Sequence, residues 1–418
     1  MKAMKSIKFK TEWSSAAEPI AWAEEYTKTG LTDYKLPTIE TLDRHKEMLR
    51  KILPEEIEEA RSRILKVLAS YKINVESSSI TTGPSVSLLK IRLAPGRSLR
   101  RVRDLQEDIA ISTGFKGIRF ITLEDGLGIE FANPIRSIVP LRYLLDSETF
   151  RESKAELPVA IGYTISQQVK VFDLANAPHL LIAGATKQGK TMALHSLIAS
   201  LLLSKHPEEL KFVFIDPKQI EFKAYQNLNR HYLACIPASV SEEDEKNNLI
   251  FKDIYRAEKT LESLCLEMED RLREGRNSPR IVTIIDEFAD LTMSPDLKRS
   301  KNITNSIIRL LQKGRAAGIH MVLSTQRPSV DVITVLLKSN IPTRMAFRTA
   351  SRIDSMTILY QPGTEKLIGE GDMLFQQGAD TERIQGGFIS NEEIIRLTSF
   401  IAAQEGFNSP YYLPINNS

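Results

Sequence analysis

The stretch His-Leu-Leu-Ile-Ala-Gly-Ala-Thr-Lys-Gln-Gly-Lys-Thr at 179–191 constrains this chain more than any other. An apolar run ends in Gly184-Ala185-Thr186-Lys187-Gln188-Gly189-Lys190-Thr191, and an apolar, helix-compatible segment at 192–203 follows. Gly-x-x-x-x-Gly-Lys-Thr between a strand and a helix is the pattern of a phosphate-binding loop. The glycines let backbone N–H groups turn toward phosphate oxygens, and the helix N-terminus adds a favourable partial charge. Residues 184–191 therefore form the candidate nucleotide cradle. Lys190 is expected at the β- and γ-phosphates of ATP, and Thr191 as a ligand of Mg²⁺. Lys187 and Gln188 bring unusual bulk. The Lys187 side chain either projects toward phosphates or a neighbouring subunit, or is simply exposed.

A loop of this kind belongs in an α/β fold, and the rest of the chain agrees. From 179 onward, apolar runs at 179–184, 211–216, 280–287, 319–326 and 343–349 alternate with helical stretches. The runs show little polar alternation, as expected of strands buried on both faces of a mostly parallel sheet. A long helix is expected over 244–275, with Ile254, Leu261, Leu264, Met268 and Leu272 on its buried stripe. Upstream, Pro54 and an acidic first turn open a helix whose face is Ile57, Ile64, Leu65 and Leu68. A strand ending at Pro95-Gly96, a helix over 98–113 capped by Ser98, and a hairpin around Asp125-Gly126 follow. The expected division is an N-terminal arm (1–40), a small α+β module (41–150) and a P-loop domain (151–418).

Composition closes off other classes. Of the 418 residues, 42% are hydrophobic and 26% charged, which suits a globular chain. No apolar run approaches the ~18 residues of a membrane span. Two cysteines, Cys235 and Cys265, offer neither a disulfide framework nor zinc spacing, consistent with a cytoplasmic location. A net charge of +3 is too small to point to nucleic acid by itself.

The apolar run at 280–285 ends in Asp286-Glu287, at the sheet edge where α/β proteins bind ligands. Asp286 is expected to hold Mg²⁺ and Glu287 to activate the attacking water. Asp290 reads as a helix-face residue. Gln326 ends the next strand and is either a γ-phosphate sensor or a strand-end hydrogen-bonding group. Asp216-Pro217-Lys218 ends another strand, and the sequence does not choose between a turn and a functional role.

Five blocks in order, 179–191, 212–225, 281–291, 311–348 and 353–375, resemble the motor of the FtsK/SpoIIIE family of double-stranded DNA translocases. The stretch Gln326-Arg327-Pro328-Ser329-Val330-Asp331-Val332-Ile333-Thr334 is the most specific of them. The resemblance runs upstream through 81–96 and 126–134 into the family's smaller module. It implies a RecA-like ATPase that assembles as a ring, usually a homo-hexamer, around duplex DNA. It places Arg315 as an arginine finger for the adjacent subunit and Arg352 at a basic sensor position. Arg327 and Lys338 fall on or near a DNA-gripping loop. Basic loops follow the phosphate backbone without reading sequence.

The chain departs from the pattern at Met356, where Arg is usual, at Tyr360, where Asp is usual, and at Lys187, where Gly is usual. The family's membrane spans and winged-helix module are not found in it. Arg97, Arg100, Arg101 and Arg103 form a further basic cluster, facing either DNA or solvent. The reading is thus an ATP-driven double-stranded DNA translocase. The alternatives are a conjugative-transfer or secretion ATPase with the same motor, and a DNA-binding scaffold with little turnover.

Overall fold

In the computed structural model the described residues are 31–46, 52–94, 98–218, 220–237, 250–251 and 254–415. Most of the expected arm, Pro95-Gly96, Arg97 and the start of the long helix lie outside them.

The small module is built on an amphipathic helix and a sheet. Proline at the first helical position forfeits no hydrogen bond, so Pro54 opens α1 (Pro54–Ser70). The Leu53 N–H donates to Glu56 Oε2 at 2.8 Å and closes that end. Ala60, Ile64 and Leu68 line one side of α1 and are buried, whereas Ile57 and Leu65 are only partly covered. They pack on a four-stranded antiparallel sheet, β1 (Val75–Thr82), β2 (Val86–Leu93), β3 (Arg119–Leu123) and β4 (Gly126–Ala132), in the order β1-β2-β4-β3. The single helix expected over 98–113 is two, α2 (Leu99–Arg103) and α3 (Gln106–Thr113), and Ser98 makes no side-chain cap bond. The break at Asp104-Leu105 lets Val102 and Ile109 both enter one core, while Gln106 Nε2 anchors α3 by donating to Ile118 O at 2.7 Å.

The larger core begins on both sides of this module. Leu31, Tyr34, Ile39 and Leu42 are buried in it, and so are Val139, Leu144 and Phe150 around β5 (Val139–Pro140), α4 (Leu141–Leu145) and α5 (Glu148–Arg151). Residues 31–42 and 139–150, assigned from sequence largely to the arm and the small module, therefore pack with the P-loop domain.

Its strands are β6 (Pro158–Thr164), β7 (Val169–Asp173), β8 (His179–Ala183), β9 (Leu210–Ile215), β10 (Ala234–Cys235), β11 (Ile250–Phe251), β12 (Arg280–Ile285), β13 (Ile319–Thr325), β14 (Thr343–Phe347), β15 (Asp372–Gln377), β16 (Asp380–Phe388) and β17 (Tyr411–Tyr412). The main sheet runs β11-β9-β12-β13-β8-β14-β15-β16-β6-β7. From β11 to β14 every neighbour is parallel. The five apolar runs are β8, β9, β12, β13 and β14, so they form this parallel half. Beyond β14 the sheet continues antiparallel, through strands whose polar residues hide their register from a sequence reading.

The helices are α6 (Lys190–Ser204), α7 (Ile254–Glu274), α8 (Phe288–Thr292), α9 (Leu297–Lys313), α10 (Val335–Asn340), α11 (Arg352–Leu359) and α12 (Asn391–Ala402). Two corrections concern the long helix. Ile250 and Phe251, expected inside it, form β11 beside β9. Leu272, expected on the buried stripe, is 40% exposed, and Arg271 is buried in its place. The Arg271 guanidinium earns that position by donating to Glu267 Oε1 at 2.7 Å and to the carbonyls of Pro279 and Ala317 at 2.7 and 3.0 Å.

Candidate nucleotide site

Four parallel strands, β8, β9, β12 and β13, end side by side, and each delivers one part of the site. After β8 the chain turns through 184–189 into α6. Gly184 has φ 153, and a Cβ there would lie 2.6 Å from the Cβ of Phe347, so only glycine lets the loop pass β14 this closely. Lys187 also has a left-handed φ, 61, and its side chain is exposed. Glycine adopts that conformation at the least cost.

Lys190 folds over its own loop. Its Nζ donates to Gly184 O at 2.8 Å and Ala185 O at 2.9 Å. Burial pushes its pKa down to about 8, against the upward pull of Glu287 and Asp286. The ammonium thus occupies the cradle with neutral carbonyls as partners, a weaker match than phosphate oxygens.

Strand β9 supplies carboxylates that the sequence reading left open or passed over. Asp216 is buried and accepts from the backbone N–H groups of Lys218, Ile220 and Glu221 at 3.0, 2.9 and 3.1 Å, so it shapes the turn. That turn places Glu221 where Oε1 accepts from Thr191 Oγ1 at 3.3 Å. The position five residues after Asp216 was the only signal, and it is too generic to have singled out Glu221. Burial raises the Glu221 pKa, and Asp216 adds to it.

Strand β12 supplies Asp286 and Glu287. Burial pushes Asp286 up to about pH 6, with Asp216, Glu221 and Glu287 reinforcing the shift. Glu287 is buried with a left-handed φ of 51, a strained state for a side chain with a Cβ. Its Oε1 accepts from Thr325 Oγ1 at 2.7 Å and its Oε2 from the Gln326 N–H at 2.9 Å. Lys218 Nζ lies 3.8 Å from Glu287 and 3.9 Å from Asp290.

Gln326 directly follows strand β13, and its Oε1 accepts from Thr186 Oγ1 at 2.6 Å. The next residue, Arg327, is exposed and pairs with Asp290 at 3.4 Å. Asp290 therefore lies between two basic side chains rather than on a bare helix face. Asp286, Glu287, Gln326, Lys190 and Thr191 all lie at the loop.

The remaining expected residues lie elsewhere. Arg315 is at the far end of β13, about 20 Å from the loop by strand rise. There it lines a cavity of about 630 Å³ with Lys313, Arg280 and His320. Arg352 opens α11 and is exposed. Lys338 departs most from expectation. It is buried, with Nζ 4.1 Å from the centre of the Tyr360 ring, and burial lowers its pKa. Arg344 stacks on the same ring at 5.1 Å. Tyr360 thus covers a pair of cations. Met356 is exposed on α11. Arg100, Arg101 and Arg103 are exposed on α2 while Val102 points into the core.

Comparison with known proteins decides the family. Residues 36–133 match the FtsK alpha domain, and residues 140–274 and 272–330 match the FtsK/SpoIIIE family. The chain belongs to the FtsK/SpoIIIE family. It is 37% identical over 405 residues to the DNA translocase FtsK of Chlorobaculum tepidum, covering 91% of this chain and 49% of the relative. To FtsK of Haemophilus influenzae it is 36% identical over 411 residues, covering 90% and 77%. To the DNA translocase SftA of Bacillus subtilis it is 37% identical over 361 residues, covering 83% and 37%. The chain thus spans between 37% and 77% of the length of these relatives.

Among solved structures, the conjugation coupling protein TcpA of pCW3 with ATPγS superposes with a TM-score of 0.56. The identity is 21%, over 84% of this chain and 99% of that one. The type VII secretion ATPase EccC of Thermomonospora curvata gives 0.50 at 21% identity, over 62% and 32%. These likenesses establish the P-loop ATPase fold. No helix among the described residues is long and apolar enough to cross a membrane.

Proposed function

We propose that this chain is the motor of an ATP-driven double-stranded DNA translocase. The observation that carries the reading is the bonding of residues 325–327. Thr325 and the Gln326 N–H hold Glu287, and the Gln326 side chain holds Thr186 of the phosphate loop. The chain then runs directly into exposed Arg327. The candidate base, the phosphate loop and a basic grip are three consecutive links of one segment. Relatives named DNA translocases support the choice of cargo.

In this reading Lys190 leaves the Gly184 and Ala185 carbonyls for the phosphates of ATP. Glu287 accepts the proton of the attacking water, and its bonds to Thr325 and Gln326 fix its orientation. Gln326, tied to Thr186, moves with the loop when the γ-phosphate is lost. Thr191, Asp286 and Glu221 fit a divalent cation. Three acids crowd Asp286 and leave it short of counter-charge, and Mg²⁺ bound there would offset charge on the phosphates. Arg315, remote from its own loop, is suited to act on the loop of a neighbour in a homo-oligomeric ring, for which the family expectation is six subunits.

Steady-state ATP turnover with and without long duplex DNA at low salt tests the proposal. DNA is expected to raise turnover severalfold, and Lys190→Ala to abolish it. Turnover indifferent to DNA overturns the translocase reading.

A further inference from the structure

The turn 367–371, between α11 and β15, lies between the phosphate loop and the small module. On one side, the Gly371 N–H donates to Gln188 O at 3.0 Å. A Cβ on Gly189 would lie 2.8 Å from Gly371 Cα, so the two backbones are in direct contact. Gln188 itself is packed, with its Nε2 donating to Thr186 O at 3.1 Å, which accounts for the bulk at this position. The turn is held in an unusual shape, since Gly369, Glu370 and Gly371 have φ of 83, 54 and 90. The two glycines adopt it freely, but Glu370, with its Cβ, is held there by its surroundings.

Support comes from buried charges. Asp372 accepts from the Ile368 N–H at 2.8 Å and from Arg383 Nε and Nη2 at 3.0 and 2.7 Å. Arg383 Nη1 then crosses to the small module, donating to Glu130 Oε2 at 3.0 Å and Gly117 O at 3.4 Å. Arg119 completes the set, 3.1 Å from Glu130. Glu130, Asp372 and Arg383 are each at most 3% exposed. Ile368 packs with Val86 and Ala132 of the small module, and Arg136 Nη1 donates to Ile368 O at 3.2 Å.

We infer that Glu130, on the small module, is a positioning residue for the nucleotide loop, acting through Arg383, Asp372 and the 367–371 turn on Gln188. The inference rests on the nucleotide-binding reading of the loop. Glu130 touches neither the loop nor the candidate catalytic acids. Its charge sets how firmly Arg383 holds Asp372, and Asp372 sets the turn that the phosphate loop leans on. Linkage makes the coupling reciprocal, so a nucleotide entering the loop alters the Glu130 contact in turn.

Hydrogen–deuterium exchange on the full chain, with and without ATPγS, tests this. In the wild type, ATPγS is expected to change exchange at 184–191, at 367–372 and in β4 together. In Glu130→Gln, whose side chain keeps its shape, 184–191 still responds, β4 does not, and the dissociation constant for a fluorescent ATP analogue shifts by about 5-fold or more. Glu130→Asp, which keeps the charge, recovers at least part of that shift. A wild-type chain that responds at 184–191 but not at 367–372 or β4 overturns the inference without touching nucleotide binding. Exchange unchanged at 184–191 overturns the nucleotide reading itself, and the inference with it. The wild-type arm stands even if the variant does not fold.

Discussion

Asp286 is the residue whose chemistry is most at odds with its burial. Folded, it keeps its proton up to about pH 6, whereas the ordinary value is 3.8. Between these values the folded chain binds more protons than the unfolded one, so this group makes stability fall as pH rises. The penalty is absent below the unfolded value and complete above about pH 6. Asp286→Asn removes it. In chelator and without nucleotide, the variant is expected to be more stable than the wild type at pH 8, by on the order of 2–3 kcal/mol. The advantage should vanish near pH 4. Thermal melts of both proteins across that range decide it, and a pH-independent difference refutes the assignment. Glu287 makes a different prediction, since its bonds to Thr325 and Gln326 concern orientation. Glu287→Gln should still bind an ATP analogue within a few fold while turnover falls by about 10²–10⁴, read by pairing equilibrium binding with single-turnover hydrolysis.

At the level of elements, the strands that carry the site were legible and the strands beside them were not. β8, β9, β12, β13 and β14 are mostly apolar and buried along nearly their whole length because both faces are covered, and this makes them visible. β16 carries Thr381, Glu382, Arg383 and Gln385, and its key residue is an arginine buried by partners far away in sequence. Pairing of that kind leaves no periodic trace. Likewise Lys190, Asp286 and Gln326 follow from pattern, whereas Glu221 reaches Thr191 only because Asp216 folds the turn between them.

The grip elements show the same divide. Arg327 leaves β13 exposed, but Lys338 on α10 is buried beneath Tyr360. A cation that does not meet phosphate releases no counterion. Arg327→Ala is therefore expected to reduce the salt slope of DNA affinity by about 1, whereas Lys338→Ala leaves it unchanged. Fluorescence anisotropy of labelled duplex over a salt series measures both, and a reduced slope for Lys338→Ala shows that Tyr360 releases the lysine when DNA binds.

For the whole molecule, the position of Arg315 bears on the proposed ring. The loop lies at one end of β13 and Arg315 at the other, so an Arg315 that acts as the proposed finger must do so on the nucleotide of another subunit. A finger acting within one chain and a finger acting between chains predict opposite results when two inactive proteins are mixed. Lys190→Ala has a dead loop and an intact Arg315, and Arg315→Ala has the reverse. Each alone is expected to be inactive. In a ring assembled at random from equal amounts, about a quarter of the interfaces join an intact loop to an intact finger. ATP turnover should return toward that fraction, and the return should require subunit exchange, so chemically cross-linked homogeneous rings mixed afterwards stay silent. If the mixture remains inactive although mixed rings are demonstrated by mass, Arg315 does not act between subunits.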